Sequence, residues 1–262
     1  MCRYRRKATG LTKSVVNLID HAVLQPTQTD DDVRAACRLC AELGAASVCV
    51  KPSYVPVAVA CIAQLVVTNP SPQPPAPSPF VSTVIGFPHG GTTTQTKVAE
   101  TDLACRGGAR EVDVVVNVGK VLSGDWEYVE RDIRAVVEAA RAHDVITKVI
   151  FETGLLPTDD LKIRLCKISE AAGAAFVKTS TGFGYVKDPD GKLVATGATE
   201  HDVRLMRANC SPAVQVKASG GIRNYEDAQR FVALGATRLG TSGTREIAAG
   251  ERGQEAHSTS AY

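Results

Sequence analysis

The sequence predicts an α/β protein built as a single (β/α)8 TIM barrel, and three observations support this. The chain has 262 residues, close to the length of about 250 that such a barrel takes. Short runs rich in β-branched residues alternate with amphipathic stretches of helical period. Most of the short runs are hydrophobic without alternation, as in strands buried on both faces of a parallel sheet. An open doubly wound sheet is the alternative, but no G-x-G-x-x-G follows the first strand.

Eight strands and seven helices are expected along the chain. Thr29, Thr158 and Asn224 are expected helix N-caps, since short polar side chains satisfy the free N–H groups of a first turn. Glycine is expected to end the helices that precede residues 44, 107, 173 and 235. The expected strands are 17–20, 47–50, 81–87, 111–118, 147–152, 175–179, 214–219 and 237–242. The expected helices are 29–43, 54–67, 94–106, 126–143, 158–172, 200–208 and 224–234.

Composition excludes several classes of protein. Hydrophobic residues make up 44% and charged residues 22% of the chain, as in ordinary globular proteins. The net charge of +2 gives no sign of nucleic acid or an anionic membrane as a partner. No apolar run approaches the roughly 18 residues of a membrane span. Eight scattered cysteines fit a reducing cytoplasm better than a disulfide framework.

Three segments are expected to lie outside the barrel, which is assigned to residues 13–249. Residues 1–12 are basic at the start but too short for a transit peptide, so a disordered tail is expected, and no signal peptide. Residues 69–79 hold six prolines and predict an extended loop on the face opposite the active site. That loop could alternatively dock a proline-recognising module. Residues 250–262 are polar and are expected to form a mobile tail.

Cys37 and Cys40 form a C-x-x-C inside the helical run VRAACRLCAEL. A zinc site needs further cysteine or histidine ligands at matching spacing, and no second C-x-x-C or histidine pair supplies them. Buried free thiols are therefore the preferred interpretation over a metal site.

Two lysines end consecutive apolar strands, each just before small residues and glycine. They are Lys178 in AAFVKTSTGFG and Lys217 in AVQVKASGGIR. Two lysines that face one pocket repel, which lowers the pKa of one amine and makes it a nucleophile at neutral pH. The pair therefore indicates Schiff-base chemistry on a carbonyl substrate.

Asp113 lies among valines in EVDVVV, where a carboxylate is costly to bury unless it is paired. It can either form a proton relay with the two lysines or belong to a structural ion pair, and the sequence leaves both open. Chemistry in such barrels lies at the carboxyl ends of the strands. The other polar groups at these ends are Asp20, His21, Cys49, Lys51, the loop 86–91, Asn117, Glu152 and the turn 240–243.

Glycine-rich turns follow the last two expected strands, SGGIR at 219–223 and LGTSG at 239–243. The loops after the seventh and eighth strands are the usual phosphate site of these barrels, where backbone N–H groups hold the anion. The two turns together indicate a phosphorylated substrate.

These motifs resemble the deoxyribose-phosphate aldolase family over nearly the whole chain. The resemblance implies a class I aldolase that needs no metal or cofactor. Such an enzyme reversibly cleaves 2-deoxy-D-ribose 5-phosphate to D-glyceraldehyde 3-phosphate and acetaldehyde during deoxyribonucleotide breakdown. The matching segments are IDHAVLQPT (19–27), VCVKP (48–52), VIGFPHG (84–90), EVDVVVNVGKVLSGDW (111–126), KVIFETGLL (148–156), FVKTSTGFG (176–184), VKASGGIR (216–223) and RLGTSG (238–243).

The resemblance also implies roles for individual residues. Lys178 corresponds to the Schiff-base lysine, Lys217 to the lysine that depresses its pKa, and Asp113 to the acid/base aspartate. The residues that correspond to sugar-pocket, substrate or phosphate contacts are Asp20, Cys49, Thr181, Gly182, Gly220, Gly221, Gly240 and Ser242.

This chain departs from the family pattern at Ala22, where a threonine is usual, at Gln25, where a lysine is common, and in two further places. Gly243 stands where a second serine is common. Residues 185–199 are longer than the short linker usual there, at the expected mouth of the active site.

Two other functions stay open. One is a lysine-dependent barrel lyase that acts on another phosphorylated aldose or keto acid. The other is a catalytically silent barrel that binds partners, for example through its proline loop. Many barrel enzymes dimerise, so a homodimer is considered, although no residue pattern requires one.

Tyr262 is a further candidate, because some relatives also end in a mobile tail that bears a tyrosine. About a dozen extended residues span tens of ångströms, enough to reach the barrel mouth. If the phenol takes part in proton transfer, deletion of the last two residues will slow proton exchange on acetaldehyde, measured by NMR in deuterated water. A normal exchange rate would leave the tail without a role.

Overall fold

The computed structural model describes residues 14–68 and 79–254. Eight parallel strands close into a barrel in which neighbours along the chain pair in the sheet and the last strand pairs with the first. The predicted (β/α)8 barrel is confirmed. The barrel strands are β1 (Ile19–Val23), β2 (Ser47–Val50), β3 (Phe80–Ile85), β4 (Glu111–Val115), β5 (Ile146–Ile150), β6 (Phe176–Lys178), β9 (Gln215–Ser219) and β10 (Arg238–Thr241). The other two, β7 (Tyr185–Lys187) and β8 (Leu193–Ala195), form an antiparallel hairpin.

Nine α-helices lie within the described residues, mostly on the outside of the barrel. Short 3₁₀ helices at Val15–Leu18, Pro52–Tyr54 and Thr153–Leu155 complete the connections. None of these helices is long and apolar enough to cross a membrane. The α-helices are α1 (Asp30–Leu43), α2 (Val55–Thr68), α3 (Thr94–Arg106), α4 (Val118–Leu122), α5 (Trp126–Arg141), α6 (Asp159–Ala172), α7 (Glu200–Asn209), α8 (Tyr225–Ala233) and α9 (Thr244–Glu251).

Helix ends follow the predicted caps in most cases. Thr29 accepts the backbone N–H of Asp32 as part of a capping box, and Asn224 caps α8 by accepting the N–H of Asp227 at 2.8 Å. Thr158 occupies the N-cap of α6, but its side chain makes no capping hydrogen bond, so that part of the prediction is wrong. Gly173 ends α6 with φ at 85°, a left-handed conformation that glycine adopts without steric cost.

Several expected boundaries are wrong by a few residues, as for the strand expected at 17–20, which is Ile19–Val23, and two have clear local reasons. The strand expected over 111–118 ends at Val115 because Asn117 caps the short helix α4 by accepting the N–H of Lys120 at 3.1 Å. The last helix reaches Glu251, two residues into the segment expected to be a tail. The Glu251 carboxylate accepts the N–H of Val15 at 2.7 Å, so it anchors the first described residues to the last helix. Residues 1–12, residues 69–78 of the proline loop and residues 255–262 with Tyr262 lie outside the described residues.

The apolar core lies between the barrel and the helices. Outward-facing strand residues such as Val112, Val177 and Val216 are fully buried against apolar helix faces. Burial of this kind contributes about 25 cal/mol per Å² of apolar surface. This layer also holds buried ion pairs, such as that of Lys97 on α3, which donates to Asp132 of α5 at 2.6 Å and is completely buried.

The inside of the barrel is ionic rather than apolar. Arg238 on β10 donates to Asp20 on β1 at 2.6 Å and to Glu111 on β4 at 2.8 Å. Lys148 on β5 lies 2.6 Å from the same Glu111 carboxylate. The ring of Phe176 lies under the guanidinium of Arg238, 5.2 Å from its central carbon to the ring centroid. This lower layer supports the groups nearer the mouth of the barrel.

Removal of Arg238 should destabilise the whole barrel. Arg238→Met leaves the carboxylates of Asp20 and Glu111 buried without their guanidinium, which we expect to lower the free energy of unfolding by about 3–5 kcal/mol. Arg34→Met is the matched control, because Arg34 pairs with Asp30 and Asp31 on the exposed face of α1. We expect that change to cost less than about 1 kcal/mol. Equal losses for both variants in urea unfolding would contradict this assignment.

Candidate active site

Three strands bring the predicted catalytic side chains to one point inside the barrel. Lys178 and Lys217 are direct register partners on β6 and β9, so their side chains start at the same height on the same face. Asp113 projects from β4, on the other side of β5. Its Oδ2 atom accepts from Lys178 Nζ at 2.9 Å and from Lys217 Nζ at 2.8 Å. The three residues singled out in the sequence therefore share one oxygen atom.

The second oxygen of Asp113 is also occupied. Lys148, its register partner on β5, donates to Oδ1 at 2.7 Å. Complete burial by itself would raise the pKa of Asp113, but Lys148, Lys178 and Lys217 together hold that pKa well below its usual range. Asp113 is therefore an ionised carboxylate that can orient a water molecule. It is a member of an ion-pair network, which the sequence left open as one interpretation, and its part in a proton relay stays a prediction.

Lys217 is held as the protonated amine. Besides Asp113, it donates to Asp20 Oδ2 at 2.5 Å. Burial opposes its charge, but Asp113 and Asp20 outweigh burial and raise the pKa of Lys217 above that of an ordinary lysine. Lys217 is therefore a fixed positive charge next to Lys178.

Lys178 is displaced in the opposite direction. Burial lowers the pKa of Lys178, and the charge of Lys217 lowers it further, against the opposing attraction of Asp113. An amine that loses its proton more readily than a free lysine is a nucleophile at lower pH. The site thus pairs an amine suited to attack a carbonyl with an ammonium group that stays charged.

The balance of charge inside the barrel also indicates that Lys178 is the lysine that loses its proton most readily. Within the described interior, four buried cationic side chains face three buried carboxylates, so full ionisation leaves one positive charge without a partner. A buried unpaired charge is costly, and the usual response is to neutralise one group. Lys178 is the lysine of this set whose pKa is lowered. The cationic groups are Lys148, Lys178, Lys217 and Arg238, and the carboxylates are Asp20, Glu111 and Asp113.

Asp20 lies beneath the lysines rather than on an open pocket wall. Its carboxylate accepts from Ser47 Oγ at 2.7 Å, Arg238 at 2.6 Å and Lys217 at 2.5 Å, and it has no exposed surface. Burial favours the neutral acid, but Arg238, Lys148 and Lys217 lower the pKa of Asp20 far below its usual value. The geometry gives Asp20 a role in holding Lys217.

An apolar wall lies beside the lysines. Cys49 packs with Leu24 and Val84 in a small cluster separate from the main core, and the rings of Phe87 and Phe183 meet edge to face at 5.3 Å on it. Burial raises the pKa of the Cys49 thiol, so the group stays neutral. This wall excludes water from one side of the lysine pair.

The glycine turns form the more open side of the site. Gly220 and Gly221 follow β9 with φ at 93° and 81°, and a Cβ on Gly221 would meet no atom within 4 Å beyond its chain neighbours. The hydroxyl of Thr241 donates to the Ile222 carbonyl at 2.6 Å, which ties this turn to the one after β10. The same hydroxyl accepts the N–H of Gly243 at 2.9 Å, so that backbone donor already has a partner inside the protein.

The remaining predicted substrate residues lie around these turns. Thr181 is buried and Gly182 is exposed just after β6, where Gly182 has φ at 86° and open space around it. Gly240 is packed so closely against Ser219 that a side chain there would lie 2.5 Å from its hydroxyl. Ser242 is exposed next to the start of α9. The geometry therefore leaves Gly182 and Ser242 open to a ligand.

Other polar strand ends serve the scaffold. His21 shares a hydrogen bond with Thr244 at 2.8 Å, and burial lowers its pKa to about 4, so the ring is neutral at pH 7. Lys51 donates to the backbone carbonyls of Gln25 and Gln28 and fixes the loop before α1. These side chains are not part of the lysine cluster.

The C-x-x-C cysteines are buried thiols. Cys37 contacts the Ala58 carbonyl, and burial raises its pKa to about 12, while Cys40 contacts the Ser47 carbonyl. Nowhere in residues 14–68 and 79–254 do three or more histidine, cysteine, aspartate or glutamate side chains cluster in a way that could hold a metal ion.

Sequence reasoning missed Glu111, Lys148 and Arg238 as parts of the site. A signal for Glu111 existed, because Glu111 and Asp113 are two residues apart on one strand and so share a face. Lys148 likewise interrupts an apolar strand, in TKVIF. Arg238 begins its strand, where a cation is ordinary, and its role follows only from partners on β1 and β4.

Comparisons with known proteins agree with this geometry. Residues 14–247 match the family described as DeoC/LacD family aldolase. A protein from Caldanaerobacter subterraneus subsp. tengcongensis named deoxyribose-phosphate aldolase is 41% identical over 230 residues, which cover 87% of this chain and 90% of that protein. One of the same name from Halalkalibacterium halodurans is 43% identical over 93% of this chain and 99% of its own length.

A solved structure is also similar over most of its length. It is the deoxyribose phosphate aldolase of Aeropyrum pernix, described as having a unique tetrameric structure. Its TM-score is 0.75 at 30% identity, over 91% of each chain. Because the family match and these relatives span most of the chain, the protein belongs to the DeoC/LacD family of aldolases.

Proposed function

We propose that the protein is a class I aldolase that reversibly cleaves 2-deoxy-D-ribose 5-phosphate to D-glyceraldehyde 3-phosphate and acetaldehyde. One observation carries the proposal: two buried lysines share one carboxylate oxygen, and their pKa values move in opposite directions. Schiff-base catalysis needs a neutral amine and nearby groups that move protons, and the lowered pKa of Lys178 beside Asp113 and Lys217 supports both requirements. The relatives named deoxyribose-phosphate aldolase support the choice of substrate.

The first step is attack of the neutral Lys178 amine on C1 of the open-chain sugar. Loss of water from the resulting carbinolamine gives an iminium ion, which can accept an electron pair. Lys217 stays protonated because Asp113 and Asp20 hold it, so its charge keeps Lys178 reactive and can stabilise the departing hydroxyl.

Carbon–carbon cleavage follows from removal of one proton. A water molecule held by Asp113 and Lys217 takes the proton of the 3-hydroxyl. The bond between C2 and C3 breaks, and its electron pair moves into the iminium to form an enamine. Glyceraldehyde 3-phosphate leaves, the enamine gains a proton at carbon, and hydrolysis releases acetaldehyde and restores Lys178.

The two ends of the substrate fit the two sides of the site. The two-carbon fragment on Lys178 lies next to the apolar wall of Cys49 and Phe87, which suits a methyl group. The phosphate fits the turns at Gly220 and Gly221 and at Ser242, where backbone N–H groups near the starts of α8 and α9 favour an anion. Thr181 and Gly182 follow the strand of Lys178, and the exposed Gly182 is assigned to the sugar hydroxyls because the donors of Thr181 are bonded to Glu152.

The setting and assembly of the enzyme are part of the same proposal. Free thiols at the seven described cysteines suit a reducing cytoplasm, and six of them are buried. A homodimer stays the proposed assembly, on the ground that Leu103 on α3 is 69% exposed; the Aeropyrum pernix relative is described as tetrameric, so a larger assembly is the alternative. Light scattering would give the assembly in solution.

Replacement of Lys178 should abolish turnover. Incubation of the wild-type protein with acetaldehyde and sodium borohydride should add the reduced two-carbon fragment to the Lys178 peptide, as measured by mass spectrometry. Lys178→Ala should give no adduct and no cleavage of deoxyribose 5-phosphate. Lys167→Ala, at an exposed lysine on α6, is the matched control and should behave like wild type. Activity of Lys178→Ala within tenfold of wild type would remove the Schiff-base assignment.

Replacement of Lys217 should change the pH dependence of the rate. Lys217→Leu removes the cation that lowers the pKa of Lys178, so that pKa rises and less of the amine is neutral at pH 7. Each unit of pKa increase lowers the neutral fraction about tenfold. We expect the rising limb of kcat/KM to move to higher pH, while Lys217→Arg should move it less because the charge is kept. An unchanged pH profile for Lys217→Leu would argue against this coupling.

A further inference from the structure

Glu152 has an unusual backbone and an unusual environment. It directly follows β5 with φ at 54° and ψ at 57°, one of only two non-glycine residues with positive φ among the described residues; Asp144 is the other. A non-glycine residue keeps this strained conformation only where its surroundings fix it, and such positions cluster at functional sites. Its side chain is 2% exposed, and no basic side chain in residues 14–68 and 79–254 forms an ion pair with it.

The Glu152 carboxylate instead accepts hydrogen bonds from two loops. Its Oε2 atom accepts the backbone N–H of Thr181 at 3.1 Å and also the Thr181 hydroxyl. Its Oε1 atom accepts the hydroxyl of Thr196 at 3.4 Å. A buried carboxylate without a cation is costly, so this arrangement requires the full set of neutral donors.

The first of these loops carries the reactive lysine. Thr181 is three residues after Lys178, and its hydroxyl also accepts the N–H of Phe183 at 2.9 Å. Glu152 therefore fixes the turn that holds Thr181 and Gly182 against the end of β5. Without that carboxylate, the backbone N–H and hydroxyl of Thr181 lose their partner.

The second loop is the base of the β7–β8 hairpin. Thr196 follows β8, and its N–H donates to the Gly184 carbonyl at 2.8 Å. Its side chain fills the space in which a Cβ on Gly154 or Gly184 would lie. Only glycine at these two positions lets the backbone come so close to Thr196. The hairpin is thus seated on the end of β5 through Thr196.

The hairpin base also touches the expected phosphate turn. The N–H of Ala198 donates to the Gly220 carbonyl at 3.0 Å. The backbones of Gly197 and Gly220 are so close that a Cβ on Gly220 would lie 2.9 Å from the Cα of Gly197. A chain of contacts therefore runs from Glu152 through Thr196 to Gly220.

We propose that Glu152 is a positioning residue that orders the side of the site that binds the phosphorylated three-carbon fragment. It fixes the Thr181–Gly182 turn directly and the Gly220–Gly221 turn through the hairpin base. No hydrogen bond or ion pair joins its side chain to Lys178, Lys217 or Asp113, so we expect the amine chemistry on the two-carbon fragment to be independent of it. This inference rests on the proposed function.

The test separates the two halves of the reaction. Glu152→Gln replaces one accepting oxygen by a donor, and Glu152→Gly removes the carboxylate while it keeps the left-handed backbone without strain. We expect both variants to raise KM for deoxyribose 5-phosphate about tenfold or more, the scale of a lost hydrogen bond to a charged group. We expect kcat to change less than KM. The rate of borohydride trapping with acetaldehyde alone should equal that of wild type.

Two controls isolate the cause. Thr196→Val removes only the hairpin contact and should raise KM in the same direction by a smaller factor. Asp144→Gly changes the other positive-φ position, which is exposed at the opposite end of β5, and should leave KM and kcat unchanged. If the Glu152 variants do not fold, Thr196→Val decides: a raised KM supports the proposal, and an unchanged KM overturns it.

Other outcomes overturn the inference in distinguishable ways. A fall in kcat at constant KM, or a parallel loss of acetaldehyde trapping, would place Glu152 in the amine chemistry instead. Unchanged kinetics in folded Glu152 variants of an active enzyme would overturn the positioning role alone. Failure of the wild-type protein to cleave deoxyribose 5-phosphate would overturn both this inference and the proposed function.

Discussion

The carboxylate of Asp113 is the group on which the rest of the site depends. Three lysine amines from three strands meet on its two oxygens in a space without exposed surface. Without Asp113, three ammonium groups would face one another in a low-dielectric interior, where like charges repel strongly. With it, two of the lysines stay charged and the repulsion falls on Lys178. Asp113 thus stabilises the barrel interior, while burial and the charge of Lys217 lower the pKa of Lys178, the amine that we propose as the nucleophile.

The ionic layer below Asp113 fixes the geometry of that contact. Glu111 binds both Lys148 and Arg238 across the barrel, and Lys148 joins this layer to Asp113. Such buried ions are weak contributors to stability, because desolvation offsets most of their attraction. These ions instead fix positions, because each carboxylate oxygen has a defined partner and little freedom to move. A layer of leucine and valine would fill the barrel but would leave the orientation of Asp113 unspecified.

The strands and the loops contribute different groups to the site. Strand residues, which are fully buried, hold the groups that we propose react. The loops after β6, β9 and β10 hold the glycine turns that face solvent, and these turns take their shape from contacts with each other and with Glu152. The β7–β8 hairpin adds a further constraint, because it is seated between the end of β5 and the Gly220 turn. A change in that hairpin can therefore alter binding of the proposed substrate without any change in the contacts of the lysines.

The sequence by itself determined the barrel and its three central residues. Continuous apolar runs, cap residues and glycine turns are local signals, and Lys178, Lys217 and Asp113 are conspicuous because each interrupts such a run. Only the tertiary structure decided how burial and neighbouring charges shift the pKa of each lysine, that Asp20 holds Lys217, and that Arg238 and Lys148 belong to the site. A pKa depends on burial and on charges brought close in space, and Arg238 and Glu111 are 127 residues apart in the chain. Local pattern carries no information about such distances, which closure of the barrel alone sets.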